Sequence, residues 1–143
     1  MRKWGRGSQR VWSTVCPELK EVFDIVLEMR DLSAIDGHRD EATQNHYFET
    51  GVSKAKWGES LHNHWPSAAV DVQPYPYVEE TLREDLTYIA GLVIAVGYML
   101  DYDIRWGGDW DEDGETADNS FDDLFHFELR RRRGRTNSDA GDL

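Results

Sequence analysis

The segment from Phe125 to Leu129 reads F-H-F-E-L, and it restricts the possible folds more than any other stretch. Strict two-residue alternation belongs to a β-strand, whose successive side chains point to opposite faces. His126 and Glu128 then share one face, and Phe125, Phe127 and Leu129 share the other. The aromatic and Leu face demands a core. The His and Glu face demands polar company, because an ionisable group buried without a partner is costly. A bound metal is one way to supply that company.

A second stretch, from Ser60 to Asp71, reads S-L-H-N-H-W-P-S-A-A-V-D. Pro66 breaks any helix there. Ala68 to Val72 is small and β-branched, which suits a buried strand, and Pro74 and Pro76 end it. On one helix, His64 and Asp71 would lie about two turns apart, too far to share a metal. A loop carrying His64 into a strand carrying Asp71 can bring both to one point. With His126 they form two imidazoles and a carboxylate, three ligands with a fourth position open, which is the donor set of a catalytic zinc. Asp123, three residues before His126, is a spare carboxylate that can take and return a proton. Arg39 can direct a fixed positive charge at a carbonyl oxygen. The same spacing also fits ordinary surface histidines and loop aspartates, so alone it leaves both readings open.

The 143 residues suit one domain, with residues 1–12 as a basic, irregular arm and 136–143 as a frayed tail. A net charge of −12 argues against nucleic acid as a partner. The single cysteine, Cys16, excludes an internal disulfide and a Cys-rich zinc site. No run of about 18 apolar residues exists, so no membrane insertion is expected. Met1 to Arg10 has no apolar core segment, which argues against a cleaved secretory signal. Arg130 to Arg135 is basic and reads as a solvated run beside acidic neighbours, with an anionic partner as the alternative.

Helical periodicity predicts a helix over 17–30, with its stripe at Leu19, Val22, Phe23, Val26 and Leu27. A short strand follows over 32–37. A helix capped by Asp40 carries Gln44 and stops at Gly51, and a polar loop covers 51–60. A long helix spans 78–99, with Leu82, Leu86, Ile89, Val93 and Val96 buried. Strands are expected over 104–107 and 125–129, with a polar loop at 112–120. This order indicates an α+β fold, a small antiparallel sheet flanked by helices.

At these residues the chain resembles the M15 zinc peptidases, which include D-alanyl-D-alanine carboxypeptidases and phage L-alanyl-D-glutamate endopeptidases. His64 to Asp71 is similar to their H-x-x-G-x-A-x-D element, with Ser67 where Gly is usual. Asp123, His126 and Glu128 match D-x-x-H-x-E, and Arg39 and Gln44 match G-x-R…Q. Arg105 to Trp110 looks like the stretch before the loop of the phage enzymes. The resemblance implies a hedgehog or D-Ala-D-Ala peptidase-like fold, with zinc on His64, Asp71 and His126. It also implies Asp123 as base and acid and Arg39 as the cation at the carbonyl. Glu128, Gln44 and Ser60 would be supporting or pocket residues. His62 is off the family spacing, nine residues before Asp71, and reads as a pocket or surface residue. His38 and His46 read as ordinary side chains.

The implied activity is cleavage of peptidoglycan stem peptides, between L-Ala and D-Glu, by a monomer of a phage lysis system. Such an enzyme would collect in the host cytoplasm and reach the wall in the periplasm through a separate membrane-lesion protein. The rivals are a D,D-carboxypeptidase and a non-catalytic zinc-fold binding module. Asp109, Asp111, Asp113 and Glu115, in D-W-D-E-D-G-E, resemble the opening of a calcium loop, although Ser120 stands where the closing Glu is usual. Calcium is therefore a possible second ion.

Overall fold

The structure, a computed structural model, describes residues 1–132. Its elements are α1 (Arg6–Trp12), α2 (Pro17–Met29), β1 (Leu32–Asp36), α3 (Glu41–Glu49), β2 (Ala69–Pro74), α4 (Leu82–Met99), β3 (Tyr102–Gly107) and β4 (Asp123–Arg132). Single 3₁₀ turns occupy Leu61–Asn63 and Glu79–Thr81. The four strands form one antiparallel sheet in the order β1-β2-β4-β3. The fold is the expected α+β arrangement. The frayed tail expected over 136–143 lies outside the described residues, as does the basic run beyond residue 132.

Periodicity builds the core. The α2 stripe of Leu19, Val22, Phe23, Val26 and Leu27 is buried, and α4 adds Leu86, Ile89 and Val93. Pro17 starts α2 at a position where a missing N–H costs nothing. Both helices lie on the apolar face of the sheet, against Val70, Val72, Phe127 and Leu129. Burying each such side chain contributes roughly 1.5–3 kcal/mol. Gly97 lets α4 sit close to β3, since a Cβ there would strike the side chain of Ile104.

The amino-terminal segment differs from the expected irregular arm. It forms α1 and is docked. Trp12 is buried and begins a row of rings running through Phe23 to Phe127, with centroids 5.3 and 5.4 Å apart. Trp4 packs on Trp12 at 5.1 Å and donates from its indole to Asp24. Ser8 Oγ accepts from the amide of Ala34 on β1. β1 is an edge strand, and α1 caps part of its open edge. Aromatic burial thus outweighs the poor helix propensity of a short, Gly-containing basic segment, which is why local sequence misleads here. Trp12→Ala should destabilise the protein by about 3–5 kcal/mol, the usual cost of deleting a buried aromatic. Chemical denaturation followed by tryptophan fluorescence measures it, and a change under about 1 kcal/mol would mean that α1 is only loosely attached.

Candidate metal centre and cleft

Register brings the first two site residues together. In the ladder between β2 and β4, Asp71 lies directly opposite His126. Asp36 on β1 stands opposite Asp71 on the other side. One polar row therefore crosses three strands on the face away from the helices, as the alternation in F-H-F-E-L requires.

The third member is His62, not His64. The turn Leu61–Asn63 is fixed by a reciprocal cap: Ser60 Oγ accepts from the His62 amide, and Asn63 Oδ1 accepts from the Ser60 amide. The His62 carbonyl also accepts from the Arg39 amide at 2.8 Å. This anchoring turns His62 inward, where it is 2 % exposed. His64 follows the turn and is exposed, which leaves it outside the cluster. The irregular connection from His64 to Ala68 absorbs the two residues by which His62 departs from the seven-residue spacing.

Three atoms meet at one point. His62 Nε2 lies 3.2 Å from His126 Nδ1, and both lie 3.3 Å from Asp71 Oδ1. Outer partners decide which nitrogens hold protons. His62 Nδ1 is 2.7 Å from the carbonyl of Gly37, which can only accept, so Nδ1 donates and Nε2 keeps its lone pair. His126 Nε2 is 2.8 Å from Glu128 and donates to it, leaving the Nδ1 lone pair facing inward. Glu128 is held in turn by Arg105 at 2.9 Å across the β3–β4 ladder.

Three acceptors with no donor between them call for a cation. A tetrahedral zinc with ligands at about 2.0–2.1 Å needs them about 3.3 to 3.4 Å apart. The triangle thus has the size of one face of that tetrahedron, and the donor set fits zinc. Without a metal, a proton must serve. Burial would lower the pKa of His126, but its bonds to Asp71 and Glu128 prevail and push it up to about 9. Burial opposes ionisation of Asp71, but the two imidazoles of His126 and His62 beside it hold its carboxyl well below the usual carboxylate range.

Arg39 is buried beside this cluster. It donates to Asp36 from Nη2 and Nε, and to Gln44 Oε1 from Nη1, and Nη2 lies 3.8 Å from Asp71 Oδ2. Gln44, fully buried, also accepts from Asn63 and donates to Ser53 and Ala55. It therefore joins the arginine, the histidine turn and the loop after α3. Asp123 starts β4, and its backbone lies so close to Gly107 that a Cβ there would strike it. Burial, followed by the charge of Asp71, raises the pKa of the Asp123 carboxyl. His62, Asp71, His126, Arg39, Ser60, Asp123 and Glu128 all line one cleft of about 700 Å³.

These features have counterparts in known proteins. The sequence profile of the phage L-alanyl-D-glutamate peptidases matches residues 1–130. The chain belongs to that family. Among solved structures, this phage L-alanyl-D-glutamate peptidase family member is similar to the L-Ala D-Glu endopeptidase ChiX of Serratia marcescens. Identity is 25%, the TM-score is 0.70, and the match covers 87% of this chain and 86% of that one. It shares its fold with the LD-carboxypeptidase LdcB, at 18% identity and a TM-score of 0.52, over 80% of this chain and 58% of that one. No curated protein sequence matches it significantly.

The acidic loop gathers Asp109, Asp111 and Asp113, while Glu115 stays outside the group. Backbone amides of the loop satisfy part of it: Gly114 donates to Asp109, and Glu115 to Asp113. His38 packs edge-on to Trp65, and His46 sits on α3. Sequence reasoning placed the wrong histidine. The cap pattern of Ser60 and Asn63, which fixes the turn around His62, was the available signal.

Zinc binding should survive His64→Ala and fall by at least about 100-fold in His62→Ala, measured by competition with a chromophoric chelator. Its pH dependence follows from His126. The folded pKa is raised from 6.5 to about 9, so the protonated site stabilises the metal-free fold fully below 6.5 and loses this as pH passes about 9. A metal must displace that proton. Apparent affinity should rise from about pH 6 to about 9 and then level off.

Proposed function

We propose that this chain is a zinc-dependent peptidase that cleaves the L-Ala–D-Glu bond of peptidoglycan stem peptides, as part of a phage lysis system. One observation carries the reading: three inward lone pairs with tetrahedral spacing lie at a cleft that Asp123 also lines. Family membership and the likeness to ChiX supply the substrate class.

Zinc held by His62, Asp71 and His126 would supply Lewis-acid polarisation to the scissile carbonyl and to water. The remaining work falls to the chain. Gly37 and Glu128 keep both imidazoles in the tautomers that leave their ligand nitrogens free. Asp123 takes a proton from the attacking water on its carboxylate. Once the carbonyl carbon of L-Ala has gained the water's oxygen, Asp123 delivers that proton to the amine nitrogen of D-Glu as the C–N bond breaks. Arg39 places a permanent positive charge beside the site, where negative charge grows on the carbonyl oxygen. Asp36 and Gln44 fix its orientation.

Peptidoglycan is outside the cytoplasm, and among the described residues no helix is long and apolar enough to cross a membrane. As a member of a phage lysis system, the chain in this reading is a monomer stored in the host cytoplasm and released by a separate membrane-lesion protein. It also includes calcium at Asp109, Asp111 and Asp113, fixing the loop that leads to Asp123. Calcium should then raise activity at saturating zinc, and Asp111→Ala should remove the increase.

Digestion of purified peptidoglycan, followed by mass spectrometry of the new termini, tests the bond. New L-Ala carboxyl and D-Glu amino termini are expected, whereas release of terminal D-Ala alone would make the enzyme a carboxypeptidase. Asp123→Asn should lower kcat by about 10²–10⁴-fold while retaining zinc. Undiminished turnover would remove Asp123 from the proton path.

A further inference from the structure

An L-Ala–D-Glu substrate carries a negative charge beside the bond to be cut. D-Glu has two carboxyls. Whichever one carries the chain onward, the other stays free, a few bonds from the scissile nitrogen. The cleft is a poor place for it. Glu59, Asp71, Asp122, Asp123 and Glu128 all line it, and the chain has a net charge of −12. A peptide carboxylate needs an unengaged cation there.

Four cations line the cleft among the described residues: Arg39, Lys54, Arg105 and Arg130. Each arginine is already held by a carboxylate. Arg39 is 2.6 Å from Asp36, Arg105 is 2.9 Å from Glu128, and Arg130 is 3.2 Å from Glu112. Lys54 differs. Its ammonium lies 4.2 Å from the centre of the Phe121 ring, and among the described residues no carboxylate pairs with it. An exposed ring is a weak partner for an ammonium compared with a carboxylate.

The backbone around Lys54 is pinned. The side-chain amide of the buried Gln44 donates to Ser53 Oγ and to Ala55 O, on either side of Lys54. Ser53 N donates to Tyr47 O, and Ala55 N donates to Ser53 Oγ. The same Gln44 holds Arg39, which faces Asp71. One buried side chain thus sets the register of Lys54 against the metal-binding cluster. A long lysine on a fixed stem can leave the ring and meet an incoming anion without moving the loop.

Building on the L-Ala–D-Glu peptidase reading of this cleft, we propose that Lys54 is a specificity-determining residue that binds the free carboxylate of the D-Glu on the leaving side of the scissile bond. Phe121 holds its ammonium at the cleft until substrate arrives.

Steady-state kinetics on two synthetic stem peptides test this, one with that carboxylate free and one with it converted to the amide. The zinc-loaded wild type should prefer the free acid by about tenfold in kcat/KM, the worth of one charge-assisted bond, with the difference in KM. Lys54→Met should lower the acid peptide to the level of the amide and leave kcat unchanged. Lys54→Arg should restore the preference. Lys56→Ala is the control, because Lys56 lies over Phe48 and does not line the cleft; it should behave as wild type. Equal use of both peptides by the wild type would overturn the proposal. So would a Lys54→Met enzyme that keeps the preference or loses kcat equally on both peptides, with matching thermal melts excluding a folding defect. Cleavage of neither peptide at the L-Ala–D-Glu bond by the wild type would overturn the functional reading itself.

Discussion

Three lone pairs that face one another with no hydrogen between them are the constraint around which this protein is built. Such a group is repulsive unless a cation fills it, and burial deepens the cost. The outer partners enforce the arrangement instead of relieving it. Gly37 O and Glu128 each consume the one proton that its imidazole could have turned inward. The metal-free site therefore takes up a proton in place of a metal, and the raised pKa of His126 is the sign of that. A site that must take up something positive is an expensive structural feature, and its cost makes sense as stored affinity for a metal.

The sheet reconciles that cost with folding. Alternation sends Val70, Val72, Phe127 and Leu129 to one face, where α2 and α4 cover them. It sends Asp36, Asp71, His126 and Glu128 to the other, where they meet across the ladders. The apolar face can be packed densely because none of these polar groups interrupts it. The polar face is tolerable because each charge has a counterpart: Asp36 has Arg39, and Glu128 has Arg105. Burying such pairs adds little net stability. What they provide is fixed geometry around the cluster.

Much of this was legible in the sequence, and the failures have physical causes. The stripes of α2 and α4 were readable because burial on one helix face leaves a period of about 3.6 residues whatever the rest of the chain does. Asp40 was readable because a cap acts locally, on the Thr43 amide. The helix α1 was not, since no local propensity within residues 6–12 favours it strongly; the packing of Trp12 against Trp4 and Phe23 does. Asp71 and His126 were paired correctly because both sit in strands. Gln44 was named as a pocket residue, but its four-way role depends on Ser53, Ala55 and Asn63 arriving from two different loops, and no local pattern announces that.

The exchange of His64 for His62 shows where motif spacing carries information. Between His126 and Glu128 the spacing is rigid, because one residue more or less would flip a side chain to the opposite face of the sheet. Between the histidine turn and Asp71 no such rule applies. That segment is held at its ends: Ala68 N donates to Leu61 O, Ser67 N to Thr14 O, and Cys16 N to Ser67 O. Between those anchors the chain can lengthen by two residues at small entropic cost. The cluster of His62, Asp71 and His126 therefore specifies where the turn is anchored and not how many residues follow it. A ligand search in such a chain should weigh the signals that fix the turn, here Ser60 and Asn63, above the count of residues to the next ligand.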